Sequence, residues 1–304
     1  MRGLVIRVVL AVTSWRWVRR LFTRTRVGRR VALRFVAGET LDEAVDAARR
    51  VIEGGAVVSL DLLGEHVTDA ESAERAGAEY LACLERIAAE GLAANVSVKL
   101  TQLGMGLDEA LCERLLDAIA SRAVALGLTV TIDMEESAFT ETTLGFYERA
   151  QRAHGNLGVA IQAYLRRTPD DLDRIIPLGG HVRLCKGAYD ESEEVALRSR
   201  GEIDAAYDAL LKTLMAAEGV MPAVATHDEG RVRAALALAG ERRAPWEFQM
   251  LYGIRGKLQK QLVADGRDMR VYIPFGEAWY PYLTRRIAER PANLWFFFRA
   301  LFGR

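Results

Sequence analysis

The chain contains eight short runs of apolar and β-branched residues, each of which closes on a polar or charged side chain. The runs begin at Ala56, Asn95, Leu128, Gly158, His181, Pro222, Glu247 and Arg270, and their polar residues are Asp61, Lys99, Asp133, Gln162, Lys186, His227, Gln249 and Tyr272. Runs of this length that are rich in Val, Ile, Thr and Tyr predict β-strands. In a barrel of parallel strands, a polar residue at the carboxyl end of a strand faces the loops that carry chemistry. The pattern therefore predicts eight strands whose polar ends share one rim.

Segments with helical periodicity lie between these strands. In the segment from Asp108 to Leu126, apolar residues recur every four positions, at Leu111, Leu115, Ile119 and Ala123. Alternation of strand and helix predicts a parallel sheet, and eight repeats over roughly 250 residues favour one distorted (β/α)8 TIM-type barrel. An open doubly wound sheet is the alternative. We predict a catalytic barrel of residues 56–304, preceded by a basic helical arm of residues 1–55.

Composition sets the class of protein and its compartment. Half of the 304 residues are hydrophobic, so the chain can bury a large core without disulfides or metals. Three cysteines (Cys83, Cys112 and Cys185) show no CxxC spacing, and Cys83 and Cys112 lie in helical patterns. This usage favours a reducing compartment, and we expect a cytoplasmic enzyme.

Charge is distributed unevenly along the chain. Ten arginines and no acidic residue precede Glu39, whereas the whole chain has a formal net charge of zero, so the remainder carries a net charge of 0 − 10 = −10. The apolar segment Leu4–Phe22 is interrupted by Arg7 and Arg16 and is shorter than the roughly 20 apolar residues of a membrane span. It also lacks the unbroken apolar region and the cleavage site of a signal peptide.

The two ends of the chain have an aromatic and basic character. Interleaved Trp, Leu and Arg in the first segment suit a helix at an anionic membrane surface, on the inner face of the cell membrane. Packing against the barrel or a second subunit explains the same pattern. The apolar segment Asn293–Phe302 has the same two explanations, with barrel packing slightly favoured. Nucleic acid is the weakest candidate partner, because the arm is too hydrophobic for a solvated basic tail.

The last predicted helix opens at about Glu277 or Ala278 and carries Arg285, Arg286 and Glu289. Glu289 follows the two arginines by four and three residues, so its carboxylate can orient their guanidinium groups. Two such groups near Lys99 predict a site for a carboxylate or a phosphate. A solvated Arg-Arg-x-x-Glu surface is the alternative.

Lys99 ends an otherwise buried strand, where a lysine must pair with a carboxylate or be neutral. Asp133 on the adjacent strand is the natural partner. The competing role is that of a Schiff-base lysine, with Lys186 as a second candidate. Position in the sequence does not separate these hypotheses.

Other chemistry has little support in the sequence. The four histidines are not spaced as a metal pair, so we expect no metal and interpret His227 as a cofactor contact. The chain lacks both GxGxxG and the P-loop motif, since Gly104 and Gly106 match only in part. Any nucleotide cofactor must therefore be held by barrel loops. Hydrolase signatures are also missing.

Seven motifs occur together and in one order: VSVKL, IDMEE, AIQAYLRR, VRLCKGAYDE, ATHDE, EFQMLYG and YIPFGEAWYPYLTRRIAE. With them, the chain closely resembles the FAD-dependent proline dehydrogenases, from about Ala56 to Pro291. The segment GETLDEA, from Gly38, is similar to the arm with which that family enters its barrel. The resemblance implies a distorted (β/α)8 barrel with FAD at its carboxyl rim, and oxidation of L-proline to Δ1-pyrroline-5-carboxylate by hydride transfer from proline C5 to flavin N5.

The resemblance also implies roles for individual residues. Arg183 would lie by the flavin and tune N5, and Asp133 would hold Lys99 or its neighbours in place. The substrate residues would be Lys99, Arg285 and Arg286 for the carboxylate, Tyr272 on the ring, Glu289 to orient the arginines and Leu251 in the pocket wall. The FAD contacts would be Met134, Gln162, Arg183, Lys186, Gly187, Ala188, Tyr189, Thr226 and His227.

The chain departs from the family pattern at Asp190, Cys185 and Asp228, none of which is a substrate residue. The resemblance implies a membrane quinone as electron acceptor, which would give the basic and aromatic ends a purpose. With no second enzyme domain recognisable, we expect a separate enzyme to take the pyrroline product. The opposing hypotheses are a Schiff-base lysine aldolase or decarboxylase and a non-catalytic barrel that binds an amino acid.

Overall fold

The computed structural model describes residues 32–289, with side chains for residues 32–284. The basic segment Leu4–Phe22 and the apolar segment Asn293–Phe302 lie outside the described residues, as does most of the predicted arm. Within the described part, no helix is both long enough and apolar enough to cross a membrane.

Strands and helices alternate along the chain as the hydrophobic pattern predicts. The helices are α1 Leu41–Glu53, α2 Ala70–Ala89, α3 Glu109–Ala125, α4 Thr140–His154, α5 Thr168–Ile175, α6 Arg200–Ala216, α7 Glu229–Ala239, α8 Gly256–Ala264 and α9 Trp279–Glu289. The strands are β1 Val57–Leu62, β2 Ala94–Val98, β3 Val130–Ile132, β4 Leu157–Gln162, β5 His181–Cys185, β6 Met221–Ala225, β7 Glu247–Leu251 and β8 Met269–Phe275. Short 3-10 helices cover Leu100–Leu103, Ser137–Phe139 and Ile176–Leu178.

All eight strands pair in parallel with their sequence neighbours, and β8 pairs with β1, so the sheet closes into a barrel. This confirms the (β/α)8 prediction and excludes the open doubly wound sheet. Asp61 lies opposite both Ser97 and Pro274, and Leu251 lies opposite Tyr272. The register therefore brings polar residues from distant parts of the sequence to one end of the barrel.

Local signals in the sequence explain where helices begin. Thr40 and Glu43 form a capping box at α1, and Asp108 caps α3 by accepting a hydrogen bond from the Leu111 amide. Each such cap contributes about 1 kcal/mol. The predicted helix from Asp108 to Leu126 is confirmed, since α3 starts directly after its cap.

The barrel is irregular where it closes. Helix α1 precedes the first strand and packs against β1 and β8, with Ala44, Ala47 and Ala48 in the main hydrophobic core. The outer face of this strand pair is therefore covered by a helix from before the barrel. Helix α9 starts at Trp279, four residues after Phe275 and one residue later than Ala278, the later of the two starts expected from the sequence.

Candidate active site

Lys99 lies directly after β2 and is only 7% exposed. Its Nζ forms a short ion pair with Asp61 of β1 and lies 3.5 Å from Oδ2 of Asp133. Asp61 is therefore the closer partner, whereas the sequence pointed to Asp133 alone. Asp133 is the second carboxylate near Lys99, and its principal partner is Arg183.

The charge of Lys99 is fixed by this pair. Burial is the largest single effect and lowers the pKa of Lys99, but the groups around its ammonium, Asp61 first among them and Asp133 after it, together outweigh burial and raise that pKa well above its usual value. A Schiff-base nucleophile must be a neutral amine. The ion pair therefore argues against the aldolase hypothesis at Lys99.

Arg183 of β5 crosses the inside of the barrel and is 4% exposed. Its Nη1 donates to Asp133 Oδ1 in a short hydrogen bond and to Ser97 Oγ at 3.0 Å, and its Nε donates to Gln249 Oε1 at 2.6 Å. Its guanidinium carbon lies 5.1 Å from the ring centre of Tyr272. Contacts with side chains of β2, β7 and β8 and with Asp133, directly after β3, hold this guanidinium group at the rim.

Asp133 joins these groups together. It accepts from Arg183, from Ser97 at 2.8 Å and from the Tyr272 hydroxyl at 2.5 Å. Burial alone would raise the pKa of Asp133, but Arg183 and Lys99 outweigh it and hold that pKa below its usual value. The buried cluster of Lys99, Arg183, Asp61 and Asp133 thus contains two cations and two carboxylates, and its formal charge is zero.

Two buried polar atoms near this cluster lack a hydrogen-bond partner among the side chains that the structure describes. They are Nη2 of Arg183 and Oε1 of Gln162, at the end of β4. The amide nitrogen of Gln162 donates to the carbonyls of Met134 and Glu135, both at 3.0 Å, so its oxygen is left as the free acceptor. A buried donor and a buried acceptor without protein partners can be satisfied by ordered water or by a polar ligand.

The segment after β5 carries the predicted FAD contacts Lys186 to Tyr189. Lys186 forms ion pairs with Asp204 of α6 and, at 3.0 Å, with Asp228. Gly187 has φ +116°, and a Cβ there would lie 2.1 Å from Tyr164 Cδ1. Only glycine permits this approach of the backbone to the ring. Gly187 and Ala188 are both exposed.

Other predicted site residues also lie at the carboxyl ends of strands. Thr226 is buried directly after β6, and the Nε2 of His227 accepts a hydrogen bond from the Leu251 amide at 3.0 Å. Leu251 ends β7 and is half-buried. Nε2 as the acceptor places the proton of a neutral His227 on Nδ1.

The predicted carboxylate clamp is only partly described. Arg285, Arg286 and Glu289 all fall within α9, so their helical spacing is as predicted, but their side chains lie outside the described residues. Lys99 and Tyr272, the other two polar members, lie together around Asp133. The convergence of Lys99, Arg285 and Arg286 on one carboxylate stays a prediction, as do the roles of Tyr272 on the ring and of Glu289 in orienting the arginines.

One group of described residues has the composition of a metal site. Ligand-type atoms of His66, Glu135 and Glu136 lie within 4.8 Å of one another. They already have protein partners: His66 Nε2 lies 3.1 Å from Glu136 Oε1, and Glu135 accepts from the Thr101 amide at 3.0 Å. The expectation of an enzyme without a metal stays a prediction.

Three residues of this site received no role from the sequence. Asp61 pairs with Lys99, while Ser97 and Gln249 anchor Arg183. A signal existed for two of them, because Asp61 and Gln249 are polar positions in predicted strands. Ser97 lies two residues before Lys99 and thus on the same face of β2.

A closed (β/α)8 barrel with buried charges at its carboxyl rim defines the class of this protein as a barrel enzyme, because active sites occupy that end in this fold. The family model described as "Proline dehydrogenase" matches residues 44–298. The chain belongs to the proline dehydrogenase family.

Similar proteins agree with this assignment. Proline dehydrogenase 1 of Bacillus subtilis (strain 168) is 40% identical over 280 residues, which cover 91% of each chain. Proline dehydrogenase of Deinococcus radiodurans is 35% identical over 271 residues, covering 86% of this chain and 87% of that protein. Among solved structures, proline utilization A from Bdellovibrio bacteriovorus matches with a TM-score of 0.81 and 26% identity. The match covers 86% of this chain but only 33% of that longer protein.

Proposed function

We propose that this chain oxidises L-proline to Δ1-pyrroline-5-carboxylate with FAD as its cofactor and passes the electrons to a membrane quinone. Membership of the proline dehydrogenase family makes proline oxidation, the first step of proline catabolism, its activity. The cofactor, the residue roles and the acceptor are the parts that we propose.

The unpartnered Nη2 of Arg183 is the observation that carries the cofactor proposal. The other two guanidinium nitrogens are saturated by Gln249, Ser97 and Asp133, so the group is held with one buried NH2 group, Nη2, to spare. An oxidised flavin ring offers an acceptor at N5 for such a donor and one N–H group, at N3, for the spare acceptor of Gln162. The two orphan atoms fit this cofactor.

FAD, when bound, would supply a two-electron acceptor whose N5 takes the hydride from proline C5. We assign its binding to Met134, Gln162, Arg183, Lys186, Gly187, Ala188, Tyr189, Thr226 and His227. Arg183 would donate a hydrogen bond toward N5, and its charge would favour electron-rich flavin. The ion pairs of Lys186 with Asp204 and Asp228 hold that lysine beside the segment.

The charge balance of the rim supports a role for the helix after β8. Because Asp61 and Asp133 already neutralise Lys99 and Arg183, an incoming carboxylate needs further positive charge. Arg285 and Arg286 are the proposed source, with Glu289 orienting them. Lys99 would then add a directional donor, Tyr272 would pack on the ring, and Leu251 would close the pocket wall.

The pH dependence of kcat/KM is expected to follow the substrate. Lys99 has a pKa above its usual 10.5 and Asp133 has one below its usual 3.8, so both keep their charges from neutral to alkaline pH. Proline must lose its amine proton before C5 can release hydride. We expect kcat/KM to rise about tenfold per pH unit until the amine has titrated. A profile that is flat from neutral to alkaline pH would contradict selection of the deprotonated amine.

The remaining partners follow from the reaction. Basic and aromatic ends would bring the chain to the inner face of the cell membrane, where a quinone can be reduced, while the protein itself stays cytoplasmic. The pyrroline product would pass to a separate pyrroline-5-carboxylate dehydrogenase. Vesicle flotation with anionic lipids, compared with neutral lipids, tests the membrane contact.

Release and identification of the bound cofactor tests the proposal against its alternatives. We expect a yellow protein that yields FAD on denaturation. A colourless protein that borohydride traps together with its substrate would indicate the lysine-dependent aldolase. A colourless protein that binds proline without turnover would indicate the non-catalytic barrel.

A further inference from the structure

The inside of the barrel is polar between Arg183 and the amino ends of the strands. The residues that hydrogen-bond there come from β1, β2, β3, β7 and β8 and are Ser59, Asn95, Thr131, Glu247 and Arg270. Barrel interiors are normally filled by Val, Ile and Leu. Burying a carboxylate and a guanidinium group instead is costly even when they are paired. Packing alone therefore does not account for this polar layer.

Among the side chains that the structure describes, one amide connects this polar layer to the rim, and it belongs to Gln249. Glu247 Oε1 accepts from Gln249 Nε2 at 2.6 Å, and Gln249 Oε1 accepts from Arg183 Nε at the same distance. Glu247 and Gln249 are two residues apart on β7, so both point to the same side of the strand. The result is a continuous path from the amino end of the barrel to the proposed cofactor donor.

We infer that Glu247 and Gln249 are positioning residues, and that Glu247 acts through the Gln249 amide to hold the Arg183 guanidinium in one orientation. The consequence for catalysis rests on the proposed function, in which Arg183 Nη2 faces the flavin. The positioning itself is a property of these three side chains.

Without a fixed neighbour, the side-chain amide of Gln249 could rotate by about 180° and exchange the positions of its oxygen and its NH2 group. A glutamine side chain presents either its oxygen or its NH2 group to a neighbour, and only the oxygen can accept from Arg183 Nε. Because the Glu247 carboxylate accepts but cannot donate when ionised, it fixes the NH2 group on its own side. Gln249 Oε1 must then face the arginine.

Glu247 is held in the state that this function requires. Burial alone would raise its pKa, but a hydrogen bond with His181 and the charge of Arg270 outweigh it and lower the pKa of Glu247 to about 2. His181 Nε2 lies 3.1 Å and Arg270 Nε lies 2.7 Å from the same carboxylate oxygen. The carboxylate is therefore ionised at every pH at which the enzyme would work.

Hydrogen exchange of the Arg183 Nε–H measures this positioning directly. The signal is identified in the full-length protein, labelled with 15N-arginine, as the one that Arg183→Lys removes. We expect exchange to accelerate at least tenfold in Glu247→Gln and in Gln249→Met. Tyr147→Phe is the matched control, since it removes a partly buried hydrogen bond to the Gly179 carbonyl at 3.0 Å, outside the barrel. Unchanged protection in Glu247→Gln would overturn the inference, as would equal acceleration in the control. If Glu247→Gln does not fold, Glu247→Asp takes its place, because it keeps the charge but withdraws the carboxylate from the Gln249 amide, and the same acceleration is expected.

A double-mutant cycle then tests whether Glu247 acts through the amide. If Gln249 is its only route to Arg183, the kcat of Glu247→Gln/Gln249→Met should equal that of Gln249→Met within about twofold, with KM for proline nearly unchanged. Losses that multiply would contradict this route. The exchange measurement needs neither flavin nor turnover. A protein that contains no FAD would therefore contradict the proposed function, while the positioning of Arg183 could still be tested.

Discussion

Replacing Lys99 with methionine is expected to lower the free energy of unfolding by about 3–5 kcal/mol, because Asp61 would remain as a buried charge without its partner. Asp61 is only 1% exposed, so water cannot replace the lysine. Burial also raises the pKa of Asp61, so part of the loss is avoided when the carboxyl takes up a proton. The loss should therefore grow as pH rises. Urea unfolding at acidic and alkaline pH measures it.

A second substitution separates stability from binding. Lys99→Met combined with Asp61→Asn removes both charges, and most of the lost stability should return. The KM for proline should stay raised in this double variant, because the proposed donor to the carboxylate is still missing. A loss below about 1 kcal/mol in Lys99→Met alone would show that the ion pair is not buried as described.

Arg285→Ala and Arg286→Ala are each expected to raise KM for proline about 10- to 150-fold, with a smaller fall in kcat. This range corresponds to the loss of one charge-assisted contact worth about 1.5–3 kcal/mol. The physical reason is the charge balance of the rim, which leaves the helix after β8 as the proposed source of positive charge. Steady-state kinetics at a single pH measure both the KM for proline and kcat of each variant.

Two comparisons control this prediction. Arg243→Ala removes an exposed arginine from the loop before β7, at the opposite end of the barrel, and should leave KM unchanged. Lysine at position 285 or 286 keeps the charge but loses the planar fork, so it should restore KM only in part. Unchanged KM in both alanine variants would refute the clamp.

The sequence predicted the frame of the site well. Strand ends are visible because apolar, β-branched runs stop at polar residues, and closure of the barrel puts those ends together. Lys99, Asp133, Gln162 and Tyr272 therefore meet at one rim as expected. The same logic placed Asp61 and Gln249 there without giving either one a role.

The sequence could not predict which charged side chains pair with one another inside the barrel. Lys99 has carboxylates on both neighbouring strands, and the choice between Asp61 and Asp133 depends on side-chain reach across a curved sheet. Arg183 bonds with residues 86 and 66 positions away, and Ser97 appears in the sequence as an ordinary strand residue. The polar layer around Glu247 likewise becomes visible only when five strands enclose it.

Anaerobic addition of L-proline to the purified protein directly tests whether a bound flavin oxidises proline. We expect a yellow protein whose flavin absorbance bleaches on mixing, while D-proline and Arg183→Lys give slower or incomplete bleaching. The released pyrroline should match the flavin reduced, mole for mole. A yellow protein that L-proline leaves unbleached in the absence of oxygen would rule out hydride transfer from proline to the bound flavin.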